Sequence, residues 1–85
     1  MDKKKIAELK GTAQTLQPTV HVGKDGVTAD VTEELRKQLE RQKLVKVRLL
    51  QSLETDRKDA ARELAQASSS VLIEVRGRTV VLARE

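Results

Sequence analysis

The chain has 85 residues, 17 Lys+Arg against 13 Asp+Glu, and no Phe, Trp or Tyr. This length allows one small domain, residues 1–85, with a radius of gyration of about 12 Å and no cleft between lobes. The absent rings exclude RNA-recognition-motif sheets, OB-folds and cold-shock barrels, which stack bases on aromatic side chains, and leave the electrostatic route to nucleic acid open.

Taken in chain order, residues 3–16 read as a helix. Ile6, Leu9, Ala13 and Leu16 recur at helical spacing while Lys3, Lys4, Lys5 and Lys10 take the wet faces. Gly11 weakens this helix and Pro18 ends it, because the residue before a proline avoids the α region. Thr19 to Val22 is a short β-rich run that stops at the loop Gly23-Lys24-Asp25-Gly26. Thr28 or Asp30 then offers an N-cap oxygen for a second helix reaching about Gln42, with Val31, Leu35 and Leu39 along one side.

Leu44 to Leu50 is the clearest strand. Val45, Val47 and Leu49 belong to a core face, and Leu44, Lys46, Arg48 and Leu50 to a partly basic one. Thr55 or Asp56 can cap a third helix from Arg57 to about Ala67, burying Ala60, Ala61 and Leu64. Val71 to Val75 and Thr79 to Ala83 form a hairpin around Arg76-Gly77-Arg78, with Gly77 supplying a positive φ. The order α-β-α-β-α-β-β predicts a two-layer α/β (α+β) domain. Its mixed four-stranded sheet has parallel neighbours joined by crossovers, helices mainly on one side, and a last strand antiparallel to its hairpin partner.

The net charge is +4 and the pI about 9.7, which favours an anionic partner. Residues 1–48 hold 11 Lys/Arg and 7 Asp/Glu, whereas residues 49–85 hold 6 of each, so the excess lies in the first half. It is densest where Arg36, Lys37, Arg41, Lys43, Lys46 and Arg48 face only Glu40. A surplus confined to one stretch marks a binding surface more often than a solubility device.

The absence of cysteine excludes disulfides and thiolate metal sites, and His21 alone cannot hold zinc, so no cofactor is expected. The N-terminus has no run suited to a signal peptide, and no segment approaches the roughly 20 apolar residues of a membrane span. A soluble, cytoplasmic protein is expected. Asp56 with Asp59 and Glu33 with Glu34 sit at helix starts, where acids favour the dipole, and no nucleophile or metal ligand accompanies them. No catalytic constellation is present, and no small-molecule substrate is expected.

The loop Gly23 to Gly26, followed by Thr28, joins a strand end to a helix start. Glycines let a backbone approach a ligand closely, the helix start favours phosphate, and Lys24 projects a cation between them. A GXXG loop clamps nucleic-acid backbone in this manner in KH domains. The spacing is neither that of a P-loop nor that of a dinucleotide fingerprint. Such a turn is also common for dihedral reasons alone. What raises it is its company: Arg36, Lys37 and Arg41 on the helix it opens, then Lys43, Lys46 and Arg48, which together with the loop would form one continuous site. The plainer reading is that Lys46 and Arg48 keep an exposed sheet face soluble. His21 reads as a strand residue with a satisfied imidazole rather than a base-contacting group.

Four segments in order carry a resemblance: Leu9-Lys10-Gly11-Thr12-Ala13, Val22-Gly23-Lys24-Asp25-Gly26-Val27-Thr28, Leu44-Val45-Lys46-Val47-Arg48-Leu49 and Val75-Arg76-Gly77-Arg78-Thr79-Val80-Val81-Leu82. Over nearly the whole chain they resemble the CRM (chloroplast RNA splicing and ribosome maturation) domain. The resemblance implies a stand-alone prokaryotic RNA-binding member with a fold similar to the C-terminal domain of translation initiation factor three. It implies that the partner is RNA, namely ribosomal RNA of the large subunit or its precursor particle; a monomer is expected. The family's loop maps onto Gly23, Lys24, Asp25 and Gly26, and its basic strand onto Lys46 and Arg48. Some members have an aromatic residue near the end of the last strand; Ala83 stands there in this chain, which removes base stacking at that position. Two other readings remain open on the residues: a general nucleic-acid or chromatin protein similar to the Alba family, and a scaffold that docks an acidic protein.

Overall fold

The computed structural model describes all residues, Met1–Glu85. Helix α1 spans Lys3–Ala13 and is capped by the Asp2 carboxylate, which accepts from the Lys5 N–H at 2.8 Å. It stops three residues short of the sequence expectation. There the Thr15 and Leu16 amides turn back to Thr12 and Ala13, tightening the chain ahead of Pro18. Strand β1 is Val20–Val22, α2 is Ala29–Arg41, and β2 is Leu44–Leu49. Helix α3 covers Arg57–Ser68, and the hairpin consists of β3, Val71–Arg76, and β4, Thr79–Ala83. Of the alternative caps, Thr28 serves α2 and Asp56 serves α3.

The sheet order is β1-β2-β4-β3, with β1 parallel to β2 and β4 antiparallel to both of its neighbours. β2 and β3 run the same way but do not touch, contrary to the parallel pairing expected between them, because β4 inserts between them. The reason lies in the side chains. Val80, Val81, Leu82 and Ala83 are all buried, so β4 needs cover on both faces and takes a central place. β3 is mostly half-buried, and its register shifts between Leu72 and Glu74; both features suit an edge strand.

Strand alternation divides the core into two. Val45, Val47, Leu49, Val80 and Leu82 face α2 and α3, meeting Leu35, Leu39, Ala60, Ala61 and Leu64. Leu44, Ile73, Val81 and Ala83 point to the other face, where α1 covers them with Leu9 and Ala13. Two helices therefore lie on one side, as expected, and α1 adds a partial third layer on the other. The radius of gyration is 11.7 Å. No helix is long and apolar enough to cross a membrane.

α1 covers only the half of its face nearest Leu44 and Ala83. The half nearest the end of β1 stays open, and that opening positions the site.

Candidate nucleic-acid interface

Three connections converge at one end of the sheet. The loop after β1 is a turn closed by the Gly26 N–H donating to the Gly23 carbonyl at 3.0 Å. Gly26 has φ +73°, a left-handed conformation that costs an ordinary residue about 1–2 kcal/mol. At Gly23 the constraint is space: a Cβ there would lie 3.3 Å from Ser52 Oγ and 3.5 Å from Leu50 Cδ1. The turn thus rests against the connection that follows β2. The hairpin turn joins them, since the Leu49 N–H donates to the Arg78 carbonyl at 2.7 Å. The start of α3 reaches the same turn, with Arg57 Nη1 donating to the Gly77 carbonyl at 3.3 Å.

Register then sets a row of side chains across the open half of the sheet. His21 pairs with Arg48, Arg48 with Thr79, and Thr79 with Arg76. Adjacent strands lie about 4.8 Å apart, so Arg48 and Arg76 stand about 10 Å from each other across Thr79. His21, Arg48 and Arg76 are exposed, as are Lys24, Arg57 and Arg78 around them. Between Arg57 and Arg78 runs a groove of about 390 Å³, lined also by Leu49, Leu53, Thr55 and Asp56. The molecule forms only two ion pairs, Met1–Glu85 and Arg62–Asp59. Lys24, Arg48, Arg57, Arg76 and Arg78 are therefore five cations at one end with no carboxylate paired to any of them.

The start of α2 contributes less than its dipole promises. Thr28 Oγ1 accepts from the Val31 N–H at 3.2 Å, Asp30 occupies the first turn, and Asp25 lies in the loop. These acids offset the positive helix end. Attraction for an anion at this end rests on the cations.

The basic run 36–48 does not join the loop as one surface, contrary to expectation. α2 leads away from the loop and β2 leads back, so the run bends around the far corner of the domain. At about 1.5 Å per helical residue, Arg41 ends roughly 20 Å from Thr28. Lys43 and Arg48, on a strand rising about 3.4 Å per residue, are about 17 Å apart. Both spans exceed the Debye length of about 8 Å at physiological salt. Only Arg48 returns to the loop.

Two of the others are held within the fold. Lys46 Nζ donates to the Ala13 and Leu16 carbonyls at 3.3 and 3.5 Å, tying down the end of α1. Arg36 Nη2 donates to the Ala67 carbonyl near the end of α3 at 3.0 Å. Lys37 and Arg41 stay exposed on α2. Lys43 is exposed at the far corner. There Lys5, a competing donor of like charge, holds the Lys43 ammonium below the usual lysine range; desolvation and the Arg84 charge add to this and Glu8 opposes it. No group of three His, Cys, Asp or Glu side chains comes together that could hold a metal ion.

Residues 1–84 match the family model of the CRS1 / YhbY (CRM) domain. The chain belongs to the CRM family. A Bacillus subtilis (strain 168) relative named "Probable RNA-binding protein YqeI" is 38% identical over 77 residues, which is 91% of this chain and 80% of that protein. The solution structure of a hypothetical protein from Staphylococcus aureus, described as a candidate RNA-binding protein, has the same fold. Its TM-score is 0.86 at 30% identity, with 100% of this chain and 88% of that one covered.

Three cations of this CRM domain's loop end, Arg57, Arg76 and Arg78, lie in the half of the chain whose charges balance. Sequence reading placed Arg76 and Arg78 as hairpin-turn residues and Arg57 as a helix start. One signal was available: Arg76-Gly77-Arg78 sets one arginine on each side of a single turn glycine.

Proposed function

We propose that this CRM protein binds RNA, capturing phosphates at the loop end of the sheet. The observation that carries the reading is the gathering of Lys24, Arg48, Arg57, Arg76 and Arg78, without carboxylate partners, around the Gly23–Gly26 turn. Five cations around this turn suit a bent phosphate backbone, since Gly26 leaves open space where a side chain would stand. The name of the Bacillus subtilis relative supports RNA as the partner. With no aromatic ring in the chain, bases are left largely unread, and the shape of the folded RNA selects the site. The action is binding without chemistry: the lone histidine stands beside Arg48, and the chain has no thiol.

The target is ribosomal RNA of the large subunit or its precursor particle, bound by a cytoplasmic monomer that assists subunit assembly. Crosslinking the protein in cell extract and sequencing the attached RNA tests this. The expected result is enrichment of large-subunit sequences over total RNA. Enrichment elsewhere refutes the target, and recovery of no crosslinked RNA refutes RNA binding itself.

A further inference from the structure

The groove at the start of α3 carries a group that phosphate capture does not explain. Arg57 and Arg78, two of the five loop-end cations, line it, and Asp56 sets a carboxylate in the same groove. A carboxylate repels phosphate, so a groove built for phosphate alone has no use for it. Capping accounts for part of its bonding capacity: Asp56 Oδ2 accepts from the Lys58 N–H at 3.1 Å, while Oδ1 accepts from nothing in the chain. Asp56 is exposed and forms no ion pair with either arginine. Its free lone pairs are left for a ligand that donates.

The rest of the lining divides by chemistry. Leu49 is buried and Leu53 half-buried, and together they give the groove an apolar floor against which a flat ring can lie. Arg57 Nη1 donates to the Gly77 carbonyl at 3.3 Å, which ties this guanidinium to the hairpin turn and leaves its other N–H groups unbonded. The Arg78 side chain bonds nothing, although its backbone carbonyl accepts from the Leu49 N–H. Thr55 adds a hydroxyl that can donate or accept. At about 390 Å³ the groove lies near the small end of the range for ligand sites, about 300–1,000 Å³, which suits one nucleotide.

We infer that this groove takes one unpaired guanine of the bound RNA, with the Asp56 carboxylate on its N1–H and N2–H donors and the arginines on its O6 and N7 acceptors. Among the RNA bases only guanine sets two adjacent donors and two adjacent acceptors on its edges. A carboxylate accepts both donors at once, and a guanidinium fork serves both acceptors. Adenine and cytosine offer the carboxylate one amino group each, and uracil one N–H. The inference rests on the proposed RNA binding of the loop end and deepens it: phosphates are held without regard to sequence, and one base is the exception. Leucine and guanidinium surfaces there stand in for the aromatic rings that the chain lacks.

The test is fluorescence anisotropy with labelled RNA hairpins whose oligouridine loops differ only at one central base. The wild-type protein should bind the guanine hairpin about tenfold more tightly than those with adenine, cytosine or uracil there. Asp56→Asn keeps the helix cap, since Asn and Asp rank alike at that position. With its carbonyl on the Lys58 N–H, the Asn amide turns N–H groups toward the guanine donors. The variant should therefore lose the preference and bind all four hairpins within about twofold of one another, with a far-ultraviolet spectrum checking the fold. Equal binding of the four hairpins by the wild-type protein overturns the inference and leaves the loop-end phosphate reading standing. A preference for another base overturns it, as does a guanine preference that survives Asp56→Asn. Guanosine monophosphate binding as tightly as the guanine hairpin would make the groove a free-nucleotide site, and this too overturns it. No binding of any hairpin removes both readings.

Discussion

Replacing Arg76 and Arg78 with alanine tests the loop-end site where sequence reading did not look for it. Both side chains are exposed and make no ion pair, so their loss leaves the core and the sheet register untouched. The backbone role of the turn survives, because the Leu49 N–H binds the Arg78 carbonyl and not its side chain. Neutralising one phosphate on single-stranded nucleic acid contributes about 0.7 to the slope of log K against log salt. Five cations each on one phosphate therefore give a slope near −3.5, and the double variant should fall to about −2.1. With the non-electrostatic part unchanged, that difference amounts to an affinity loss of about 25-fold at 0.1 M salt. The assay is fluorescence anisotropy of a labelled RNA titrated between 0.05 and 0.4 M potassium chloride (roughly the range in which such slopes are read). A matched control replaces Lys37 and Arg41, which the fold carries along α2 away from the loop. Its slope should stay within about half a unit of wild type. An unchanged slope in the arginine variant, or a larger loss in the α2 control, refutes the assignment.

Gly26→Ala forces a side chain into φ +73° and should cost about 1–2 kcal/mol, lowering the melting temperature by about 4–8 °C per kcal/mol, while Gly26→Asn should cost clearly less. Equal melting temperatures for the two variants would show that the turn relaxes. Lys46→Ala releases the carbonyls at the end of α1 and should cost about 1 kcal/mol in denaturant titration, with RNA affinity changed less than threefold, because Lys46 is held within the fold. A tenfold affinity loss there contradicts the structural role. Lys43 binds its proton less tightly in the folded chain than in the unfolded one, so between its lowered value and the ordinary lysine value of 10.5 the unfolded state holds more protons. Its contribution to stability should accordingly rise with pH through that window, and Lys43→Gln should remove the rise.

The elements were legible because each carries its own period. Val45, Val47 and Leu49 alternate against Lys46 and Arg48, and Val31, Leu35 and Leu39 step along α2; both patterns act over a few residues and survive any tertiary arrangement. The turn at Gly23 to Gly26 was legible for the same reason. Strand order is a different kind of information. β3 and β4 are neighbours in sequence under either placement, and only the unbroken apolar run Val80-Val81-Leu82-Ala83 points to β4 as the strand that needs cover on two faces. The site suffered most from reading charge along the chain. The surplus belongs to the first 48 residues, yet the chain reverses between Arg41 and Leu44 and parts that surplus between the two ends of the sheet. The hairpin then brings Arg76 and Arg78 from the charge-balanced half to the loop. Lys46 shows the local limit: as a strand lysine it looks free, and only the placement of α1 across the sheet reveals the carbonyls it serves.

The central claim is that RNA meets this CRM domain at the loop end of its sheet. Amide chemical-shift mapping of the isotope-labelled protein during RNA titration tests it most directly. The first equivalent of RNA should move the signals of Gly23–Thr28, Arg48, Arg57 and Arg76–Thr79. First-equivalent shifts confined to the exposed side of α2 and α3, with the Gly23–Gly26 and Arg76–Arg78 turns unmoved, would contradict it.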